Sequence, residues 1–149
     1  MSKKIKSPKQ DNKVDVNNVK EPQALSVTFR YLSKNKARNF EFFGHKDLRR
    51  KADALEQLIA FLQRLTSKTL LEVLKLPKDK DYGCESMKYS AVNCRPHMCT
   101  LEADDLIFVF RFGDNGSGGD YRLLGFFEDR SAVFNVIGVD FDYSAYQHE

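Results

Sequence analysis

The chain has 149 residues and a net charge of +3, with 42% apolar and 30% charged residues and twelve Phe. That is enough chain and enough apolar surface for one domain with its own core, which excludes a disordered or fibrous protein. No run of about 18 apolar residues is present, so no membrane-spanning helix is expected, and no apolar stretch follows the basic N-terminus to make a secretory signal. Three cysteines, an odd number, without such a signal read as reduced thiols of a cytoplasmic protein.

Charge is unevenly spread. Residues 1–22 hold six Lys and three acids, a net +3; residues 23–100 hold fifteen Lys/Arg and eight acids, a net +7; residues 101–149 hold three Arg and ten acids, a net −7. A basic first half suits an anionic partner. The acidic last third either neutralises that half within the fold or faces elsewhere.

Residues 1–22 are rich in Lys, Asn and Asp and nearly free of large apolar groups. Burial cannot offset the entropy of ordering them, so they read as a disordered basic tail ahead of a domain at 23–149. Val27–Leu32 alternates apolar with polar residues and Asn39–Phe43 is aromatic-rich, which predicts an N-terminal hairpin whose loop presents Lys34, Lys36 and Arg38. From His45 the period becomes helical. Leu48, Ala52, Leu55, Ile59, Leu62 and Leu65 form one apolar face, with Arg49 and Arg50 among the charged residues opposite. A short second helix follows over Thr69–Leu76 and stops before Pro77.

Residues 77–104 are irregular, with a short strand over Met87–Val92. The last third reads as three strands, Leu106–Phe112, Tyr121–Glu128 and Ala132–Phe141. The glycine-rich connection Gly113–Gly119 lacks the ending of a phosphate-binding loop and reads as a flexible hairpin link. Helices in one block and an antiparallel meander in another make an α+β fold, with a hairpin and two helices packed on the C-terminal sheet.

Two residues in the meander carry the functional question. If Phe112 pairs with Tyr121, Arg111 stands directly opposite Arg122, and like charges so placed repel. Either a carboxylate such as Asp140 or Glu128 lies between them, or a nucleic-acid phosphate does. The tail carries Tyr143, Tyr146 and His148, and folding back across the sheet brings an imidazole near the arginines. Cys84, Cys94, His97 and Cys99 offer four zinc ligands, but their spacing matches no common finger, so no metal or other cofactor is expected.

The stretches FVFRFG, YRLLGFFED and VFNVIGVDFDYSAYQH, preceded by two helices, resemble the last three strands and tail of the RelE/ParE toxin superfamily. The resemblance spans roughly residues 45–149. It implies a RelE-like fold and a ribosome-dependent, metal-independent endoribonuclease that cuts messenger RNA by activating a ribose 2′-hydroxyl. Arg111 and Arg122 would then hold the scissile phosphate, Tyr146 and His148 would be the tail residues of the catalytic set, and Lys88 would neutralise a neighbouring phosphate. Lys34, Lys36, Arg38, Arg49 and Arg50 complete the expected RNA-binding set. Expected partners are RNA or the ribosome and a protein antitoxin, with no membrane. Asp140 and Asp142 depart from the family, whose last strand tends to carry Arg or Lys. The rival reading is a non-catalytic accessory or inhibitor from a mobile element that docks on a protein through its acidic meander.

Overall fold

The computed structural model describes residues 3–4, 23–77, 83–114, 116, 119–128 and 131–147. The disordered-tail expectation for residues 1–22 lies outside them, apart from the two-residue β1 (Lys3–Lys4), which pairs in parallel with β4 (Cys99–Thr100). His148 also lies outside them.

The chain is α+β. Its main sheet has five strands: β2 (Ser26–Thr28), β3 (Cys84–Lys88), β5 (Leu106–Phe112), β6 (Tyr121–Phe127) and β7 (Val133–Asp140). Their spatial order is β2-β7-β6-β5-β3. The meander β5–β6–β7 is antiparallel and lies within a residue of the predicted bounds at each strand end. The strand predicted over Met87–Val92 lies earlier, at Cys84–Lys88, and Tyr89–Ala91 is a 3-10 turn.

The N-terminal hairpin does not form. Ser26–Thr28 pairs in parallel with β7, and Phe40–Phe43 is a 3-10 turn. Local polar chemistry decides this. The Asn39 side chain accepts the Glu41 N–H at 2.9 Å and donates to the Ser33 carbonyl at 2.9 Å, which closes a turn where a strand would need a free ladder. The aromatic run then packs around Phe141, with ring centroids 5.2, 5.5 and 4.7 Å from Phe40, Phe42 and Phe43.

Helix α1 (Leu48–Leu65) forms where its period predicts, but it is rotated. The buried row is Ala54, Leu58, Phe61 and Leu65, while Leu48, Leu55 and Ile59 are exposed. Two apolar rows spaced three and four residues apart run side by side on this helix. The row holding Phe61 wins because it fits against Phe110 and Phe112, 5.9 and 6.0 Å away between ring centroids. Each large side chain so buried contributes about 1.5–3 kcal/mol. Helix α2 (Leu70–Leu74) is shorter than predicted and starts at a capping box, Thr69 with Glu72.

The sheet is covered on both faces. Phe110, Phe112, Leu123, Phe134 and Val139 meet the helices, while Ile107, Val109, Leu124, Phe126 and Ile137 pack with Tyr31, Cys94, Cys99 and Ala145. Strands buried on both sides lose the apolar–polar alternation of a half-wet sheet. β6 and β7 show this, being buried almost throughout. The second face is therefore not an open platform. The segment around residues 92–101 and the tail lie over it, tied by the Asn93 N–H to the Ala145 carbonyl (2.5 Å) and the His97 N–H to the Tyr31 carbonyl (2.9 Å).

Candidate functional site

Arg111 on β5 stands opposite Arg122 on β6, as the register predicted. Both line a cleft of about 520 Å³ at the β5–β6 turn, with Gly113, Asp114, Gly119, Asp120 and Tyr143. Two arginines and two aspartates thus share it. The Asp114 carboxylate accepts the Gly116 N–H at 2.8 Å, so it is turned into the loop.

Arg122 is 6% exposed and closely held. Its Nη1 pairs with the Asp120 carboxylate and donates to the Asp120 carbonyl at 2.8 Å; its Nε donates to the Tyr146 hydroxyl at 3.1 Å. The Tyr143 ring lies over the guanidinium, 4.8 Å from ring centroid to Cζ. Burial pulls the pKa of Arg122 down, but the Tyr146 bond and the Asp120 charge more than offset this and the pKa is raised. For Arg122 the carboxylate alternative holds, but the acid paired with it is Asp120, where Asp140 and Glu128 were the candidates. Asp120 sits two residues before Arg122, and side chains two apart share a face of an extended chain, so the sequence did carry this signal.

Arg111 differs. It is half-buried, and its Nε is buried without a hydrogen-bond partner among the described residues. A donor left in that state lacks the compensation that buried polar groups normally have.

The tail does fold back. Tyr146 crosses the second face and bridges two strands: its hydroxyl accepts from Arg122 and donates to Glu85 Oε1 on β3 at 3.0 Å. Burial pushes its pKa up to about 12, with Glu85 adding to the rise, against the lowering effect of the Arg122 bond and charge. At neutral pH it is a protonated phenol engaged on both sides, which suits bridging and not proton abstraction. Glu85 and Tyr143, absent from the expected set, belong to this cluster.

The RNA-binding set does not converge. Lys34 and Lys36 are exposed, but Arg38 is 2% exposed, which corrects its place on a solvent loop. Its Nε donates to the Asn93 carbonyl at 2.6 Å, and its Nη1 to Ser144 Oγ at 2.9 Å and the Ala37 carbonyl at 3.0 Å. Asp140 lies 3.9 Å from Nη1 and accepts the N–H groups of Asp142, Ser144 and Ala145. Lys88 pairs with Asp104 at 3.4 Å. Arg49 and Arg50 line a separate cleft of about 1080 Å³ with Asp53, Glu56 and Asp114, where acids outnumber them. The possible zinc set divides: Cys84 packs with the helical face and Cys94 and Cys99 with the other, and no metal-holding cluster of His, Cys, Asp or Glu occurs among the described residues.

These burials set an alkaline limit. Burial pushes the Cys94 thiol up to about 12 and the Cys84 and Cys99 thiols up to about 11. Each group is neutral when protonated and has a folded pKa above its unfolded value. Its contribution is therefore whole below about pH 9 and lost as pH rises through 9 to 12. Urea midpoints should fall steadily between pH 9 and 11, and Tyr146→Phe should flatten the part above pH 10. A midpoint unchanged up to pH 11 would contradict the buried positions of these thiols.

No helix among the described residues is long and apolar enough to cross a membrane. No protein-family model, no curated protein and no solved structure matches the chain.

Proposed function

We propose that the chain is a cytoplasmic RelE-like protein that acts on RNA, with the cleft at the β5–β6 turn receiving a phosphate. One observation carries this reading: Arg111 and Arg122 are cross-strand partners on β5 and β6 that line the same cleft, and the Nε of Arg111 has no partner among the described residues. A planar guanidinium in that state matches a phosphate oxygen in charge and geometry. The layout of two helices followed by an antiparallel meander, on which the resemblance rests, supports the same reading. In it, Arg122 and Tyr146 form the floor of the site and Arg111 makes the contact with phosphate. Proton transfer then falls to a group other than Tyr146, His148 being the expected one, and messenger RNA on the ribosome is the target. A protein antitoxin is the expected partner. The docking reading gains less support: Asp140 and Asp120 are spent on Arg38 and Arg122, so this part of the negative charge is internal.

Arg111→Met tests this without breaking a described hydrogen bond. Stability should hold or rise, because an uncompensated buried donor is removed. Affinity for a single-stranded RNA oligonucleotide should fall about tenfold, the scale of one charge-assisted hydrogen bond. Asp120→Asn removes a carboxylate and should tighten binding, with a steeper salt dependence. Primer-extension mapping after induced expression should show cut messages for the wild type and none for Arg111→Met. Growth arrest with intact messages would rule out the nuclease step, and equal RNA affinity in Arg111→Met would remove the cleft from consideration.

A further inference from the structure

Helix α1 carries a second apolar row that the fold leaves uncovered. The core takes Ala54, Leu58, Phe61 and Leu65, whereas Leu48, Leu55 and Ile59 are 61, 37 and 55% exposed. Ala52 is exposed too, and Leu62 is half-buried at the edge of the core. From Leu48 to Leu62 the row steps by four and three residues in turn. That is the spacing of positions a and d in a coiled coil, which keeps a seam facing one partner helix. Leu48, Leu55 and Leu62 then occupy d, and Ala52 and Ile59 occupy a. The row lies roughly a third of the way round the helix from the buried one. It runs along most of an 18-residue helix about 27 Å long. A contiguous apolar strip of this kind marks an interface, whereas scattered single side chains do not.

We infer that this row packs on the same row of a second copy of the chain, α1 beside α1 in parallel, as a two-fold dimer. Three observations select that occupant. Leu fills every d position and Ile59 is the large a residue, the combination that favours two parallel strands. The flanking charges are self-complementary. In a parallel pair each g position meets the e position of the next heptad across the seam, so Lys51 meets Glu56 of the second copy, twice by symmetry. The bulk of the domain lies on the g side, because the remaining g positions, Leu58 and Leu65, are buried in the core. The two g sides of a parallel pair point opposite ways, so the two sheets stand clear of each other; an antiparallel pair would put both on one side. A single helix pair is smaller than a standard stable interface, so monomer and dimer exchange with concentration. The row is absent from the lining of the Arg111 cleft, and the inference is independent of the phosphate reading.

Sedimentation velocity of the full chain between roughly 1 and 200 μM should show a monomer passing into a dimer. Ile59→Glu should raise the dissociation constant at least about tenfold, because a carboxylate enters the seam from each copy. Ile59 is exposed in the single chain, so the urea midpoint of this variant in dilute solution should match the wild type. Glu56→Lys should weaken the dimer, and Lys51→Glu added to it should restore the association. Ala52→Cys should give an interchain disulfide under mild oxidation, since equal a positions meet in a parallel pair, while Asp53→Cys, turned away from the seam, should not. A monomer over the whole range refutes the second copy and leaves the row to a different protein. A dimer that Ile59→Glu does not weaken is built on another face, and the inference fails. If Arg49→Glu rescues Glu56→Lys and Lys51→Glu does not, the helices run antiparallel and the parallel dimer is overturned.

Discussion

Arg38→Met should lower the free energy of unfolding by about 3–5 kcal/mol, the cost of breaking a buried charge pair by removing one partner. Arg38 is 2% exposed and joins three stretches remote in sequence: its own 3-10 turn, the Asn93 carbonyl and the tail at Ser144. Without it, the fully buried Asp140 side chain keeps its backbone donors but loses its cation, and the Asn93 carbonyl loses its donor. Arg38→Lys should recover only part of the loss, because an ammonium cannot reproduce a planar fork that donates in several directions. Lys34→Met, at an exposed position nearby, should stay within about 0.5 kcal/mol. Urea denaturation followed by circular dichroism measures all three. A loss below about 1 kcal/mol for Arg38→Met would mean that the network is ornamental and that Arg38 could have been released to bind RNA.

That network shows where sequence reasoning reaches its limit. The meander was legible because its three strands are dense in Val, Ile, Leu and Phe and are separated by Gly- and Asp-containing links, and the pairing of Phe112 with Tyr121 placed Arg111 opposite Arg122. Arg38 was not legible. A Lys/Arg-rich loop reads as solvated, and the acid that neutralises Arg38 lies about a hundred residues away. The rotation of α1 was hidden for a related reason: its two apolar rows have the same period, and only the sheet's Phe110 and Phe112 choose between them. The covered second face was readable in part, since YRLLGFF and VFNVIGVD lack alternation, but the tail and the 92–101 segment that cover it have no regular pattern. The backbone turn at Tyr143 left no trace, because positive φ in a non-glycine residue is imposed by its neighbours' caps.

The close fit of the covered face predicts a second large effect, one that separates two glycines by their rescue. Gly138→Ala should cost about 2–3 kcal/mol, in the upper range of overpacking penalties. A methyl group there would overlap Cys94 Sγ, while its other neighbours, Arg38 Cβ at 3.2 Å and the Arg38 carbonyl oxygen at 3.4 Å, are tight but tolerable. Removing the sulfur should therefore restore most of the loss. Gly138→Ala in a Cys94→Ala background is expected to cost at least about 1 kcal/mol less than in the wild type, a coupling of the size found between residues in contact. Gly125 sits at the register shift between β6 and β7, where a methyl group would overlap the Asn135 carbonyl oxygen and come within 2.6 Å of Phe134 Cζ. A backbone oxygen cannot be truncated, so Gly125→Ala should cost about 3 kcal/mol or more and gain little from Phe134→Leu. The four-variant cycle at 138 and 94, read by urea midpoint, decides the point. Purely additive losses at Gly138 and Cys94 would show that the tail-side layer can shift away from the sheet, and the buried Arg38 network would lose the rigid frame that keeps it dry.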